Sequence, residues 1–199
     1  MTRVILIGGT SHAGKTTLAE AIAERLEWPH VSTDSFARHP GRPWKSDAKP
    51  FVPDDVAQHY LSLTVDELIT DVLRHYKSMW PGIETLVQDR ASDQSAEPLI
   101  LEGSALWPES VATLEINSVS AIWLTTSGEL LKSRIRSSSR FEHVPPVEQA
   151  LIDKFIARSV RYNELMMETI QRLGLVSVNV EPEEPIDDLV ERCLAQLVG

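Results

Sequence analysis

The chain is expected to fold as an α/β domain whose parallel sheet is covered on both faces, and three observations carry that expectation. Five short apolar segments, at 3–8, about 29–33, 98–102, 119–125 and 175–180, alternate with helical patterns. That order feeds parallel strands through crossover helices. Four of the segments (VILIGG, PLILEG, SAIWLTT and LVSVNV) are continuous apolar runs instead of alternating ones, as strands buried on both faces require. The first segment leads directly into a glycine-bounded loop and then a helix.

That loop is Gly9-Thr10-Ser11-His12-Ala13-Gly14-Lys15-Thr16, a complete G-x-x-x-x-G-K-T phosphate-binding motif. Gly9 and Gly14 permit a tight backbone path. The amides of His12, Ala13, Gly14, Lys15, Thr16 and Thr17 can then point at phosphate oxygens, helped by the positive end of the following helix dipole. Lys15 is placed to reach the β- and γ-phosphates, and the Thr16 hydroxyl to ligate Mg²⁺. Leu18, Ile22 and Leu26 share one face of the helix that follows. His12 is required only for its backbone, and its ring is expected to be exposed. The loop implies binding of a nucleoside triphosphate.

Bulk properties bound the rest. A chain of 199 residues with 42% hydrophobic content forms one domain with a substantial core. No apolar run approaches a membrane span, and the chain enters a core strand without a signal peptide. The lone cysteine, Cys193, lies on the buried face of a terminal amphipathic helix and fits a reducing cytoplasm. With 19 basic and 29 acidic residues the net charge is −10, which disfavours binding to nucleic acid.

Element boundaries follow from local chemistry. Thr64-Val65-Asp66-Glu67 is a capping box that opens a helix to about Trp80, where Pro81-Gly82 is expected to stop it. Thr126-Ser127-Gly128-Glu129 reads as a second capping box, for a helix to about Ser139. The last long helix spans about 146–173 and ends at Gly174. Residues 38–62 carry Pro40, Gly41, Pro43, Pro50 and Pro53, too many breakers for a regular element. The expected organisation is therefore one core (1–37, 98–133 and 147–199), an acceptor-binding insertion at about 38–97, and a lid at about 134–146.

Candidate chemistry clusters at the carboxyl ends of the strands. Asp34 follows the second strand, where it can accept a hydroxyl proton, hold Mg²⁺ through water, or merely cap a short helix. Arg38 lies four residues on, within reach of an anionic group on an acceptor. Glu102 closes the third strand and can ligate Mg²⁺ through water, or contact the acceptor together with Gly103. Arg134, Arg136 and Arg140 follow the fourth strand; Arg136 and Arg140 share a helix face and are favoured as the cations that neutralise a moving phosphoryl group. Arg158 and Arg161, aligned with Lys154 on the next helix, are further candidates for lining the site. Trp44 and Trp107 are placed near an acceptor pocket. The histidines show no metal-ligand spacing, and no serine–histidine–aspartate arrangement stands out.

The segments GGTSHAGKTT, STDSFAR and LILEGSALWPE, followed by arginines in a lid position, resemble the P-loop small-molecule and nucleotide kinases. They are most similar to 2-phosphoglycerate-kinase-type sequences and more distantly to chloramphenicol phosphotransferase and zeta-toxin kinases. The resemblance covers roughly 1–36, 98–140 and 150–182. It implies an adenylate-kinase-like three-layer α/β/α fold with strand order 2-3-1-4-5, ATP·Mg²⁺ as donor, and a lid that closes over the phosphates. The resemblance maps Lys15 and Thr16 to the phosphate loop, Asp34 and Arg38 to the acceptor side, and Arg134 or Arg140 to the lid. Taken with the reading of the residues, Lys15, Asp34, Arg136 and Arg140 are the expected catalytic groups. Arg38, Glu102, Gly103, Arg158 and Arg161 face the acceptor, and Thr16 and Glu102 face the metal. The expected activity is transfer of the ATP γ-phosphoryl group to a small cytoplasmic acceptor. A nucleotide-driven switch and a toxin-type kinase are the alternatives; the absence of an N-K-x-D guanine motif argues against a GTPase.

Overall fold

A computed structural model describes residues 2–37, 41–45 and 51–197. In chain order the elements are β1 (Val4–Gly9), α1 (Lys15–Leu26), β2 (His30–Ser32), α2 (Asp54–Ser62), α3 (Val65–Ser92), β3 (Leu99–Glu102), α4 (Pro108–Val111), β4 (Val119–Thr125), α5 (Gly128–Ser139), α6 (Pro146–Leu173), β5 (Ser177–Asn179) and α7 (Ile186–Leu197). Short 3₁₀ turns cover Thr33–Ser35 and Phe141–His143. All strand pairings are parallel and the sheet order is β2-β3-β1-β4-β5, as the family resemblance implies. The register sets Ile7 and Ser32 on either side of Glu102, so β2 and β3 end at one level and β1 runs two residues further, to Gly9. The phosphate loop, Asp34 and Glu102 all emerge from that edge.

Apolar layers cover both faces of the sheet. On one side Leu18, Ala19 and Ile22 of α1 pack with Leu189, Val190 and Cys193 of α7 against Ile5, Ile7 and Leu124. On the other, α3 and α6 place Val72, Ile83, Val87, Tyr162, Met166 and Ile170 over Val4, Leu6, Leu101 and Trp123. A third cluster joins α2, α5 and α6 through Val56, Tyr60, Ile135, Ile152 and Phe155, with Trp44 buried among them. Gly8 is required inside β1, because a Cβ there would collide with the Trp123 indole.

The sequence reading of three elements is corrected. Pro81-Gly82 does not stop a helix: α3 runs on to Ser92 with Pro81 inside it. The apolar stripe continues through Ile83, Val87 and Ala91, all buried against the sheet. Burying Ile83 and Val87 contributes about 1.5–3 kcal/mol each, which offsets the ~3 kcal/mol cost of an interior proline. The proline-rich stretch also contains a regular element, α2, which starts immediately after Pro53, where fixed φ is compatible with helix entry. Finally, α5 is capped by Ser127, whose hydroxyl accepts from the Leu130 amide at 3.2 Å. Thr126 is instead buried, and its hydroxyl donates to the Val180 carbonyl, linking the ends of β4 and β5. The capping box at Thr64–Glu67 and the left-handed Gly174 end of α6 form as expected.

Candidate active site

The phosphate loop leaves β1 at Gly9 and enters α1 at Lys15, with His12 and Gly14 both in the left-handed region (φ 65° and 104°). Lys15 is buried, and its Nζ donates to the Thr10 carbonyl at 2.9 Å. An ammonium has three donors, so two remain for the cavity the loop surrounds. Burial lowers the Lys15 pKa and Arg42 adds to that, while the nearby Glu102 and Asp34 carboxylates hold it up. The group is thus a cation with little water around it, which strengthens its attraction for a phosphate.

That cavity measures about 490 Å³. Its floor is the loop from Ser11 to Thr17, its walls include Asp34, Arg42, Glu102, Gly103, Ser104 and Arg134, and its far end is Val180, Glu184, Ile186 and Leu189. Three acids, three cations and an apolar rim therefore open on one space.

The acidic wall is built by the strand ends. Glu102 is buried at the end of β3 and accepts a hydrogen bond from the Thr16 hydroxyl at 3.2 Å. Asp34 sits in the 3₁₀ turn after β2. The cap of that turn is Ser32, whose hydroxyl accepts from the Asp34 amide at 3.3 Å, so the Asp34 carboxylate is not consumed in capping. Gly103 permits the closeness of the two strand ends: a Cβ on it would overlap the Thr33 hydroxyl.

The cations differ from expectation. Arg134 lines the cavity, its Nη1 donating to the carbonyls of His12 and Ala13 at 3.1 and 3.2 Å. Arg136 turns away to Asp153 (3.3 Å) and lies over the Phe141 ring at 4.3 Å. Arg140 is the left-handed residue that ends α5 and is exposed. The preference for Arg136 and Arg140 is corrected by helix geometry: Leu131 and Ile135 are the buried anchors, and the face carrying Arg134 and Ser138 meets the loop. Arg158 stands behind the cavity wall, donating to the Tyr60 hydroxyl at 3.1 Å and lying over the Phe155 ring at 4.5 Å. Arg161 pairs with Glu164 and Glu168 of its own helix. Arg38 lies outside the described residues.

Arg42 was missed by sequence reasoning. It faces the cavity from the insertion, within 6.0 Å of the Trp44 ring. The available signal was a cation two residues from a tryptophan already placed near the acceptor, in a chain poor in basic residues. His12 is also corrected: its ring is not exposed but lies 5.8 Å from Trp44 and 6.1 Å from Phe155. Burial, followed by the fields of Arg42, Lys15, Arg134 and Arg158, pushes its pKa down to about 3. Trp107 packs on Tyr162 at 5.2 Å and does not line the cavity.

The AAA domain model (AAA_18) matches residues 5–143. The chain belongs to that family. The chain is 32% identical to the 2-phosphoglycerate kinase of Methanocaldococcus jannaschii over 203 aligned positions, which cover 96% of this AAA-domain chain and 62% of that protein. It thus spans under two thirds of the curated relative. Among solved structures the fold is similar to a gluconokinase from Sinorhizobium meliloti 1021 (TM-score 0.51, 22% identity, 98% and 91% of the two chains). It is also similar to a shikimate kinase from Bacteroides thetaiotaomicron (TM-score 0.53, 18% identity, 98% of each). The five-stranded parallel sheet of this AAA_18 member is similar in fold to those of these solved kinases. Among its described residues no helix is long and apolar enough to cross a membrane.

Proposed function

We propose that the chain is an ATP·Mg²⁺-dependent phosphotransferase acting on a hydroxyl of a small cytoplasmic acceptor of the sugar-acid, phosphorylated-acid or nucleotide-like class. One observation carries the reading: Lys15, the Thr16–Glu102 pair, Asp34, Arg42 and Arg134 all open on the same cavity. A switch needs the cradle and the metal ligands, but not a further acid, Asp34, and two further cations, Arg42 and Arg134, on the same cavity. The 2-phosphoglycerate kinase relative supports the same chemistry and makes 2-phosphoglycerate the first acceptor to test.

In this reading Lys15 and the loop amides hold the donor phosphates. Thr16 and Glu102 fit Mg²⁺, being adjacent hard oxygen donors beside the phosphate cradle. Among the described residues no three acidic, histidine or cysteine side chains could hold an ion by themselves, consistent with an ion shared with substrate phosphates. Mg²⁺ there would neutralise charge on the β- and γ-oxygens. Asp34 accepts the proton of the acceptor hydroxyl as its oxygen bonds to the γ-phosphorus. The bond to the β–γ bridging oxygen breaks, and its electron pair leaves with ADP. Arg42 grips the acceptor or the moving group from the insertion, Arg134 stabilises the group from α5, and residues 134–146 act as the lid.

The test is a phosphotransfer screen with ATP over 2-phosphoglycerate, other phosphorylated acids, sugar acids, nucleosides and nucleotides. The expected result is turnover with one acceptor at least ~100-fold above acceptor-independent hydrolysis. Slow hydrolysis that no acceptor accelerates would overturn the reading in favour of a nucleotide-driven switch.

A further inference from the structure

Residue 12 contributes only its backbone to a phosphate cradle, yet here its side chain is tied into the surrounding fold on three sides. The Nδ1 atom lies 3.0 Å from the Ser11 hydroxyl and Nε2 lies 3.0 Å from the Ser138 hydroxyl. The ring packs against Trp44 and Phe155, which meet each other edge-on at 4.9 Å. Ser138 is one turn beyond Arg134 on α5, and Arg134 itself holds the carbonyls of His12 and Ala13. One face of α5 therefore grips residue 12 by both backbone and ring. On the opposite side, Trp44 belongs to residues 41–45, which carry Arg42 and are fastened at Gly41 by the Tyr60 hydroxyl (2.9 Å).

We infer that His12 is a positioning residue whose ring ties the Arg42 segment and the Arg134 helix to the phosphate loop, so that both guanidiniums are set around the phosphate site before ligand arrives. The chemistry of the ring suits this task. A neutral imidazole has one donor and one acceptor nitrogen, and a hydroxyl can satisfy either. The edge-to-face contact with Phe155 and the tilted contact with Trp44 add attraction and fix the ring plane. Burial first, and then the cations that face the ring from the insertion (Arg42), the loop (Lys15), α5 (Arg134) and α6 (Arg158), keep it uncharged at neutral pH. Fixing the cations in advance removes the reorganisation a polyanionic ligand would otherwise have to drive.

The inference uses the phosphotransferase reading only for its kinetic readout, and its main readout needs no acceptor. The emission of Trp44, isolated by difference from Trp44→Phe, reports whether residues 41–45 stay seated. Asparagine tolerates the left-handed backbone and mimics Nδ1, but it is too short for Ser138 and has no ring. Glutamine mimics Nε2 and reaches Ser138, also without a ring. For His12→Asn, acrylamide quenching of Trp44 is expected to rise at least ~3-fold, as a buried indole becomes wet, and ATP affinity by calorimetry to fall, because the ligand must then gather the cations itself. His12→Gln is expected to expose Trp44 as well, but to recover kcat relative to His12→Asn. Ser138→Ala is expected to show the reverse split, lowering kcat while Trp44 stays buried. Trp44 as shielded in folded His12→Asn as in wild type would overturn the inference; if that variant does not fold, the same result in His12→Gln overturns it. Absence of phosphotransfer in the wild type would sink the functional reading alone, leaving the Trp44 result to decide this one.

Discussion

The Thr16 hydroxyl donates to the Glu102 carboxylate at 3.2 Å, joining the first turn of α1 to the end of β3. The register of the sheet helps bring the two segments together. β1 and β3 are neighbours, with Ile7 opposite Glu102, so the residues that follow β1 come down beside the acid. The two oxygens form the side of the cradle suited to a hard divalent cation. Glu102→Gln keeps the size and the hydrogen bond but removes the charge. The expected outcome is a raised Mg²⁺ requirement, about tenfold or more in half-saturating concentration, with metal-free nucleotide binding unchanged. Titrating Mg²⁺ against nucleotide binding measures it; an unchanged Mg²⁺ midpoint would assign Glu102 to the acceptor instead.

Lys15→Ala removes the buried ammonium that points from the loop into the cavity. A charge-assisted bond is worth about 1.5–3 kcal/mol, so ATP affinity should fall by roughly 10- to 100-fold, with phosphotransfer abolished. Far-ultraviolet circular dichroism should be unchanged, because among the described residues the Nζ bonds one group, the Thr10 carbonyl of the phosphate loop itself. Retention of wild-type affinity in calorimetry would place the donor nucleotide elsewhere.

Asp34→Asn tests the proton acceptor. Ser32 performs the capping of the turn, so the amide variant leaves local structure intact. ATP affinity is expected to stay within about threefold while kcat falls by ~10²-fold or more, the usual worth of a general base. Equal losses in binding and turnover would instead mark Asp34 as part of the metal shell.

Much of this arrangement was legible in the sequence. Val4-Ile5-Leu6-Ile7, the glycine-bounded loop and Lys15-Thr16 are contiguous, so local pattern alone locates the cradle; Asp34 and Glu102 were found because each closes an apolar strand. What escaped detection depends on contacts between segments distant in sequence. Pro81 looked like a helix end until the sheet face that buries Ile83 and Val87 was known. Arg134 was ranked below Arg136 and Arg140 because shared-face spacing says which side chains align with each other, not which face meets the loop. Arg42 sits among prolines with no periodicity to aim it, and only the burial of Trp44 brings it over the cavity.

Arg134 and its two neighbours separate a working cation from surface ones. Arg134→Ala is expected to lower kcat by about 10²-fold while ATP affinity changes much less, since a cation on the moving group acts mainly in the transition state. Arg136→Ala and Arg140→Ala should stay within roughly threefold, because Arg136 is engaged by Asp153 away from the cavity and Arg140 is exposed. Steady-state kinetics on the three variants decides; a large kcat loss confined to Arg140→Ala would require a lid closure that carries residue 140 inward.

His12 also imposes a pH signature on stability. Its folded pKa is about 3, against the ordinary 6.5, because burial and the surrounding cations oppose its charge. Between those values the unfolded chain binds a proton that the folded chain does not. Stability contributed by the neutral ring is therefore complete above pH 6.5 and lost as pH falls toward 3, at up to ~1.4 kcal/mol per pH unit. His59 is lowered in the same direction by burial, against the pull of Asp71, and carboxylates titrate at the acid end of the window. Those groups remain in His12→Asn, so the difference between the two proteins isolates residue 12. Denaturant unfolding from pH 7 to 4.5 should show wild type losing stability more steeply than the variant, by a slope approaching one proton. Parallel curves for the two proteins would mean that the ring titrates normally in the fold, and that the cations around it do not hold it neutral.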